Sequence, residues 1–197
     1  MTYDLLYGLI LFAFASSITP GPNNLMLMAS GANFGFRRSI PHMLGIGFGF
    51  MFMLAMVGAG LIRIFDLWPR AYDVMRVLSL GYLLWLAWKT ATASGFGDSA
   101  ASGSPLTFLQ AAIFQWVNPK AWAMALTAMS VYAPDRSLFA VACVAALFGA
   151  VNLPSVSTWT LMGQQVARFL TNPKRRVVFN YVMAGILLAS SLPVVFT

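Results

Sequence analysis

"ITPGPNNLM", Ile18 to Met26, interrupts a run that otherwise reads as hydrocarbon. "LLYGLILFAFASS" precedes it and "LMLMASGANFGF" follows. Two prolines, a glycine and two asparagines fit neither a soluble core strand nor an uninterrupted membrane helix. The composition names the solvent. The chain has 197 residues, 59% hydrophobic and 9% charged, with mean hydropathy +0.76. Soluble domains carry roughly 25% charge. So few charges cannot cover a water-exposed surface, and the bilayer is the expected environment.

A spanning helix needs about 20 apolar residues. Six spans are expected, at about 4–33, 40–62, 72–93, 106–131, 137–163 and 177–196. The breaks are "RRSIP", "IRIFDLWPRAYD", "ASGFGDSAASGSP", "YAPDRS" and "RFLTNPKRR", each rich in charge or turn formers. The expected fold is an all-α integral membrane protein, one transmembrane domain over 1–197. Its halves are about 1–93 and 106–197, joined by a Gly/Ser/Ala-rich linker at about 94–105. Three spans per half reverse the direction of the second half, the geometry of two inverted three-helix repeats.

Charge sets orientation. Loops one, three and five hold Arg37, Arg38, Lys89, Arg168, Lys174, Arg175 and Arg176; loops two and four hold Arg63, Arg70, Arg76 and Arg136. The excess places the odd loops in the cytoplasm and both termini outside. "AFA" before Ser16 imitates a signal-peptide cleavage site, but Asp4 replaces the basic start, so this segment is expected to remain as the first span. The net charge of +7 lies between apolar runs rather than on a basic face, which excludes nucleic acid. Glutamate is absent, and the aspartates Asp4, Asp66, Asp73, Asp98 and Asp135 fall near loops or helix ends. Metal sites, paired-carboxylate hydrolysis and a cofactor are therefore not expected. The lone Cys143 forms no internal disulfide.

The first and fourth spans are each broken, at Thr19–Asn24 and at "VNPKAW", Val117 to Trp122. Proline stops a helix interior yet suits the first position of a new helix, and Asn is a strong N-cap. Asn118–Pro119 therefore reads as cap and start; Gly21–Pro22 reads alike. Each break exposes backbone N–H groups and the positive end of a helix dipole near the membrane middle. Such donors must face protein or a cavity. The candidate substrate-binding set is Pro20, Gly21, Pro22, Asn23, Asn24, Asn118, Pro119 and Lys120, with Asn152 beside Pro154 in the fifth span. Proline kinks are often only structural, and Lys120 could snorkel. Gly31/Gly35 and Gly45/Gly49 read as close helix packing, His42 as interfacial, and Asp73 as a coupling residue. Gly spacing on apolar faces permits a homodimer without requiring one.

"TPGPNN" (Thr19–Asn24), "GFRRSIPHMLGIGFG" (Gly35–Gly49), "LGYLLWLAWK" (Leu80–Lys89) and "FQWVNPKAW" (Phe114–Trp122) carry a resemblance over nearly the whole chain. The sequence resembles the LysE/RhtB family of bacterial amino-acid exporters, and three of these stretches are similar to its cysteine/O-acetylserine branch. Pro41 and His42 depart from the family pattern. The resemblance implies a six-helix inner-membrane secondary transporter that exports amino acids or their derivatives against protons. The half-helix starts, the asparagines and Lys120 would suit the substrate carboxylate; Asn oxygens and free helix carbonyls would suit its ammonium. A small-solute channel with paired Asn-Pro breaks and a non-transporting membrane subunit stay open as alternatives.

Overall fold

The structure is a computed structural model, and it describes residues 3–61, 70–93, 103–135 and 137–190. Arg63, Asp66, Trp68, Asp98, Arg136, most of the linker and the side chain of Arg76 lie outside the described residues. Seven helices make up the described chain: α1 (Tyr3–Ile18), α2 (Pro22–Gly58), α3 (Arg70–Ala91), α4 (Phe108–Val117), α5 (Pro119–Tyr132), α6 (Leu138–Ala167) and α7 (Pro173–Ala189). No strand occurs among the described residues. Two of the helices, α2 and α6, are by themselves long and apolar enough to cross a membrane.

Helix α2 has 37 residues and would run about 55 Å if straight, well beyond the ~30 Å hydrocarbon core. It does not run straight. Gly35 has φ 79° and ψ 168°, in the region open to glycine. The hydroxyls of Ser30 and Ser39 meet at 2.7 Å across it. Nine residues of straight helix would hold them about 13 Å apart. Gly35 therefore folds α2 into two arms, 22–34 and 36–58. This corrects two expectations. "RRSIP" is helical rather than a loop, and Gly35 makes the reversal rather than a packing face.

Gly31, by contrast, is a packing residue. A Cβ there would stand 2.0 Å from the Thr160 carbonyl oxygen, and one on Gly163 would stand 1.9 Å from that of Met28. The first arm of α2 and helix α6 thus cross backbone to backbone. The second arm repeats this contact on α4: Cβ atoms on Gly45 and Gly49 would meet the Phe108 carbonyl at 2.3 Å and Ala112 Cα at 2.6 Å. Helix α3 packs on α7. A buried amide pair ties the first arm to α7: Asn33 Nδ2 donates to Asn180 Oδ1 at 2.7 Å, and Asn180 Nδ2 returns a bond at 3.2 Å.

Apolar side chains cover the outside. Val77, Trp88, Phe139 and Phe169 are each more than 60% exposed. A soluble protein seldom shows such faces on several helices, whereas lipid satisfies them without cost.

Candidate functional site

Two helix interruptions meet in the middle of the bundle. Helix α1 ends at Ile18 and α2 opens with Gly21 as N-cap and Pro22 in its first turn. Helix α4 ends at Val117. Asn118 caps α5, its Oδ1 accepting from Lys120 N at 3.1 Å, with Pro119 in the first turn.

Three carbonyls at the end of α1 receive side-chain donors from other helices. Asn24 Nδ2 donates to Ser17 O at 2.7 Å and to Thr19 O at 2.9 Å. Trp159 Nε1 donates to Ile18 O at 3.1 Å. Lys120 Nζ donates to Thr19 O at 2.7 Å, placing a cation at the negative end of the α1 dipole. Thr19 O, with two bonds, is saturated, whereas Ser17 O and Ile18 O each accept one and keep a second lone pair. Each bond reaches from another helix, so the interruption is fastened from α2, α5 and α6 together.

The breaks are also joined to each other. Asn23 Nδ2 donates to Gln115 Oε1 at 2.8 Å, and Gln115 Nε2 returns to Asn23 Oδ1 at 3.2 Å. Gln115 is fully buried. Removing one amide strands the other, at about 1–3 kcal/mol, while removing both relieves the loss. Asn23→Leu and Gln115→Leu should each lower the thermal stability of the purified protein. The double variant should lose less than the two single losses combined, as a double-mutant cycle would show.

Two cavities flank this partition. The inner one holds about 370 Å3 of unfilled space, of which a water's centre reaches about 30 Å3. That is room for a water or two, not for an amino acid, so the conformation is a tight one. Ser16, Ser17, Asn23, Asn24, Gln115 and Asn152 face it, closed by Ile46, Phe50 and Met124. Gly21, Asn118 and Lys120 line it too, and they also line an outer cavity with Pro20, Pro22, Pro119 and Ser190. Ser190 follows α7 ten residues beyond Asn180, about 15 Å along the helix, so the outer cavity lies away from the Asn33–Asn180 end. Lys120 therefore stands between the two spaces. A Cβ on Gly21 would be 2.8 Å from Lys120 Cδ, so the missing side chain there is what admits the lysine stem.

Most polar groups of the inner cavity are satisfied, and one is not. Asn152 is buried, its Nδ2 makes only a long 3.4 Å bond to Ser17 Oγ, and its Oδ1 has no partner. An orphan acceptor of this kind is costly in a dry interior. Lys120 has spare capacity as well: an ammonium has three donors, and the structure uses one. The cavity thus offers one cationic donor and one free acceptor.

Of the sequence candidates, the eight at the two breaks and Asn152 are brought together here. Asp73 is not; it is exposed in the first turn of α3 and lines neither cavity. Sequence reading missed Ser16, Ser17 and Gln115. Gln115 carried a signal, being a glutamine in the apolar stretch "LQAAIFQWV" three residues before Asn118.

A family model described as LysE type translocator matches residues 14–192. The chain belongs to the LysE family. LysE-type proteins move solutes across membranes, so this LysE chain is a membrane transporter and not an enzyme. It is 27% identical over 189 residues to the cysteine/O-acetylserine efflux protein of Escherichia coli K12, covering 95% of each chain. The proteins of that name from Shigella sonnei and from Escherichia coli O139:H28 match at 27% identity over 95% of this chain and 95% and 96% of their own. No solved structure matches the chain.

Proposed function

We propose that this LysE-family protein exports an amino acid or amino-acid derivative from the cytoplasm by alternating access about the inner cavity. The observation that carries the reading is the pairing of Lys120 with the unpartnered Asn152 Oδ1 across one buried space. A zwitterion needs a donor for its carboxylate and an acceptor for its ammonium. The two spare donors of Lys120 supply the first and Asn152 the second. The names of the similar proteins favour cysteine and O-acetylserine as the class to try. The bilayer is the bacterial inner membrane, and the proton gradient is the driving force.

The packing supports the inverted-repeat architecture that alternating access uses. The second arm of α2 lies on α4 by glycine contact, and α6 lies on the first arm of α2 likewise. Spans two and four thus pair as spans five and one do, and α3 pairs with α7. A two-fold axis exchanging the halves demands that pattern. The excess of Lys and Arg in loops one, three and five supports termini on the outside.

Proteoliposomes loaded with radiolabelled cysteine, O-acetylserine, threonine, leucine and lysine, under an imposed proton gradient, test the proposal. Saturable efflux of one or a few, faster with the gradient, is expected. Flux linear in concentration would make the protein a channel, and no flux from folded protein would remove the reading. A variant sharpens the test. Asn152→Leu deletes the acceptor without breaking a strong bond, so thermal stability should hold or rise. Export should fall about tenfold or more. Loss of folded protein instead would make Asn152 structural.

A further inference from the structure

A third cavity lies at the other end of the first arm of α2, and its polar groups have no assigned role. It holds about 360 Å3 of unfilled space, with about 40 Å3 open to a water's centre. Ser30, Asn33, His42 and Lys89 line it, with Met26 and Leu86. Ser30 is engaged by Ser39, and Asn33 by Asn180 and the Ala29 carbonyl. His42 is not engaged. It is 1% exposed, and neither Nδ1 nor Nε2 has a hydrogen-bond partner. The expected interfacial histidine is a buried one, because Gly35 turns its arm back into the bundle. Neutral imidazole has one N–H donor and one acceptor, and leaving both idle in a dry interior is unfavourable. Lys89 is half-buried at the same cavity, its ammonium 5.4 Å from the centroid of the Trp85 ring. Among the described residues no aspartate lines the space. The one described charge on its lining is the Lys89 ammonium, and His42 brings an unpartnered imidazole to the same wall.

Position gives the ligand. His42, Ile46 and Phe50 are spaced i, i+4, i+8 and share one face of the second arm. Ile46 and Phe50 close the inner cavity; His42 opens into this one. Met26 and Ile46, both buried in one cluster, lie between. One helical turn, about 5.4 Å, thus separates the two sites.

We infer that the His42 cavity is a second site for the transported solute, in which Lys89 and the imidazole N–H hold its carboxylate before it passes the Met26–Ile46 constriction. This rests on the amino-acid export reading. The site lies beside Ser104 and Pro105, at the linker end, which the charge pattern places in the cytoplasm. A solute leaving the cell would meet it first.

The test is export kinetics of His42→Leu and Lys89→Met, in proteoliposomes of zwitterionic lipid, with O-acetylserine varied on the linker side. KM should rise about tenfold or more in each, with kcat nearly unchanged. KM for uptake from the opposite face should not move. Unchanged linker-side KM in both variants would overturn the site. So would loss of gradient dependence at constant KM, which would give His42 to the proton. A binding arm keeps this distinct from failure of the export reading. Tryptophan emission of the wild type, titrated with O-acetylserine, should change, and the change should vanish in Lys89→Met and Trp85→Phe. An equal response to chloride, or to phosphatidylglycerol in the bilayer, would overturn the carboxylate assignment. Wild type that exports nothing yet shows this emission change would fail the transport reading while leaving a carboxylate site; no emission change would overturn the site itself.

Discussion

Lys120→Ala should abolish export while leaving folded protein in the membrane. Three functions of one side chain converge in that result. Its Nζ closes the end of α1 through Thr19 O at 2.7 Å, from a helix about a hundred residues away in sequence. Its two remaining donors are unused, and the side chain lines both the inner cavity and the outer one. Hydrogen bonds to a charged group contribute about 1.5–3 kcal/mol, so losing the carboxylate contact alone weakens binding about 10- to 100-fold. Loss of the partition adds leak to weak binding. Fold should survive, because Asn24 still caps Thr19 O and Trp159 still caps Ile18 O. Lys120→Arg should not restore transport. The stem passes so close to Gly21 that a Cβ there would stand 2.8 Å from Lys120 Cδ, and a planar guanidinium is a poor substitute in that space. Export by Lys120→Arg at the wild-type rate would show that charge alone matters and that this geometry does not.

Gly163→Val should lose most folded protein. A Cβ at Gly163 would stand 1.9 Å from the Met28 carbonyl oxygen and one at Gly31 2.0 Å from that of Thr160. Carbon and carbonyl oxygen rest at about 3.3–3.6 Å even in favourable contact. The obstacle is backbone on both sides, so the helices must part by more than an ångström. Overpacking a good core costs about 1–3 kcal/mol, and a rigid backbone clash belongs at the top of that range or above it. Parting these helices also moves Asn152, which α6 carries, away from Ser17 on α1. Gly81→Ala is the control, because nothing lies within 4 Å of a Cβ there. It should be neutral or slightly stabilising, as alanine is a better helix former than glycine. Size-exclusion profiles and thermal unfolding in detergent would separate the two.

The residues at the breaks were legible because their effect is local. Proline lacks a donor and asparagine caps a helix wherever they stand, so "TPGPNN" and "VNPK" announce helix starts without reference to the rest of the chain. Apolar runs likewise announce membrane helices. What escaped depended on neighbours distant in sequence. Gly35 fits a packing pattern and a turn equally well by spacing, and its positive φ with the Ser30–Ser39 contact decides between them. His42 follows two arginines and a proline, which suggests an interface, yet the reversal at Gly35 buries it. The carbonyls of α1 looked free because their partners, Trp159 and Lys120, lie more than a hundred residues away. Asn23 was legible as a polar group at the break, but its bond to Gln115, 92 residues away, was not.

The account stands on the inner cavity receiving the solute. Substrate protection of a cysteine placed in that cavity measures this most directly. Met124→Cys, in a Cys143→Ala background that removes the native free thiol, would be labelled by a small methanethiosulfonate in nanodiscs. O-acetylserine comes first as protectant, then any other solute that the export panel identifies. The account predicts that labelling slows as the solute is added, with half-effect near its KM, and that Asn152→Leu shifts this to higher concentration. An unchanged labelling rate at a concentration that saturates export would contradict it, and would place the substrate elsewhere in the protein.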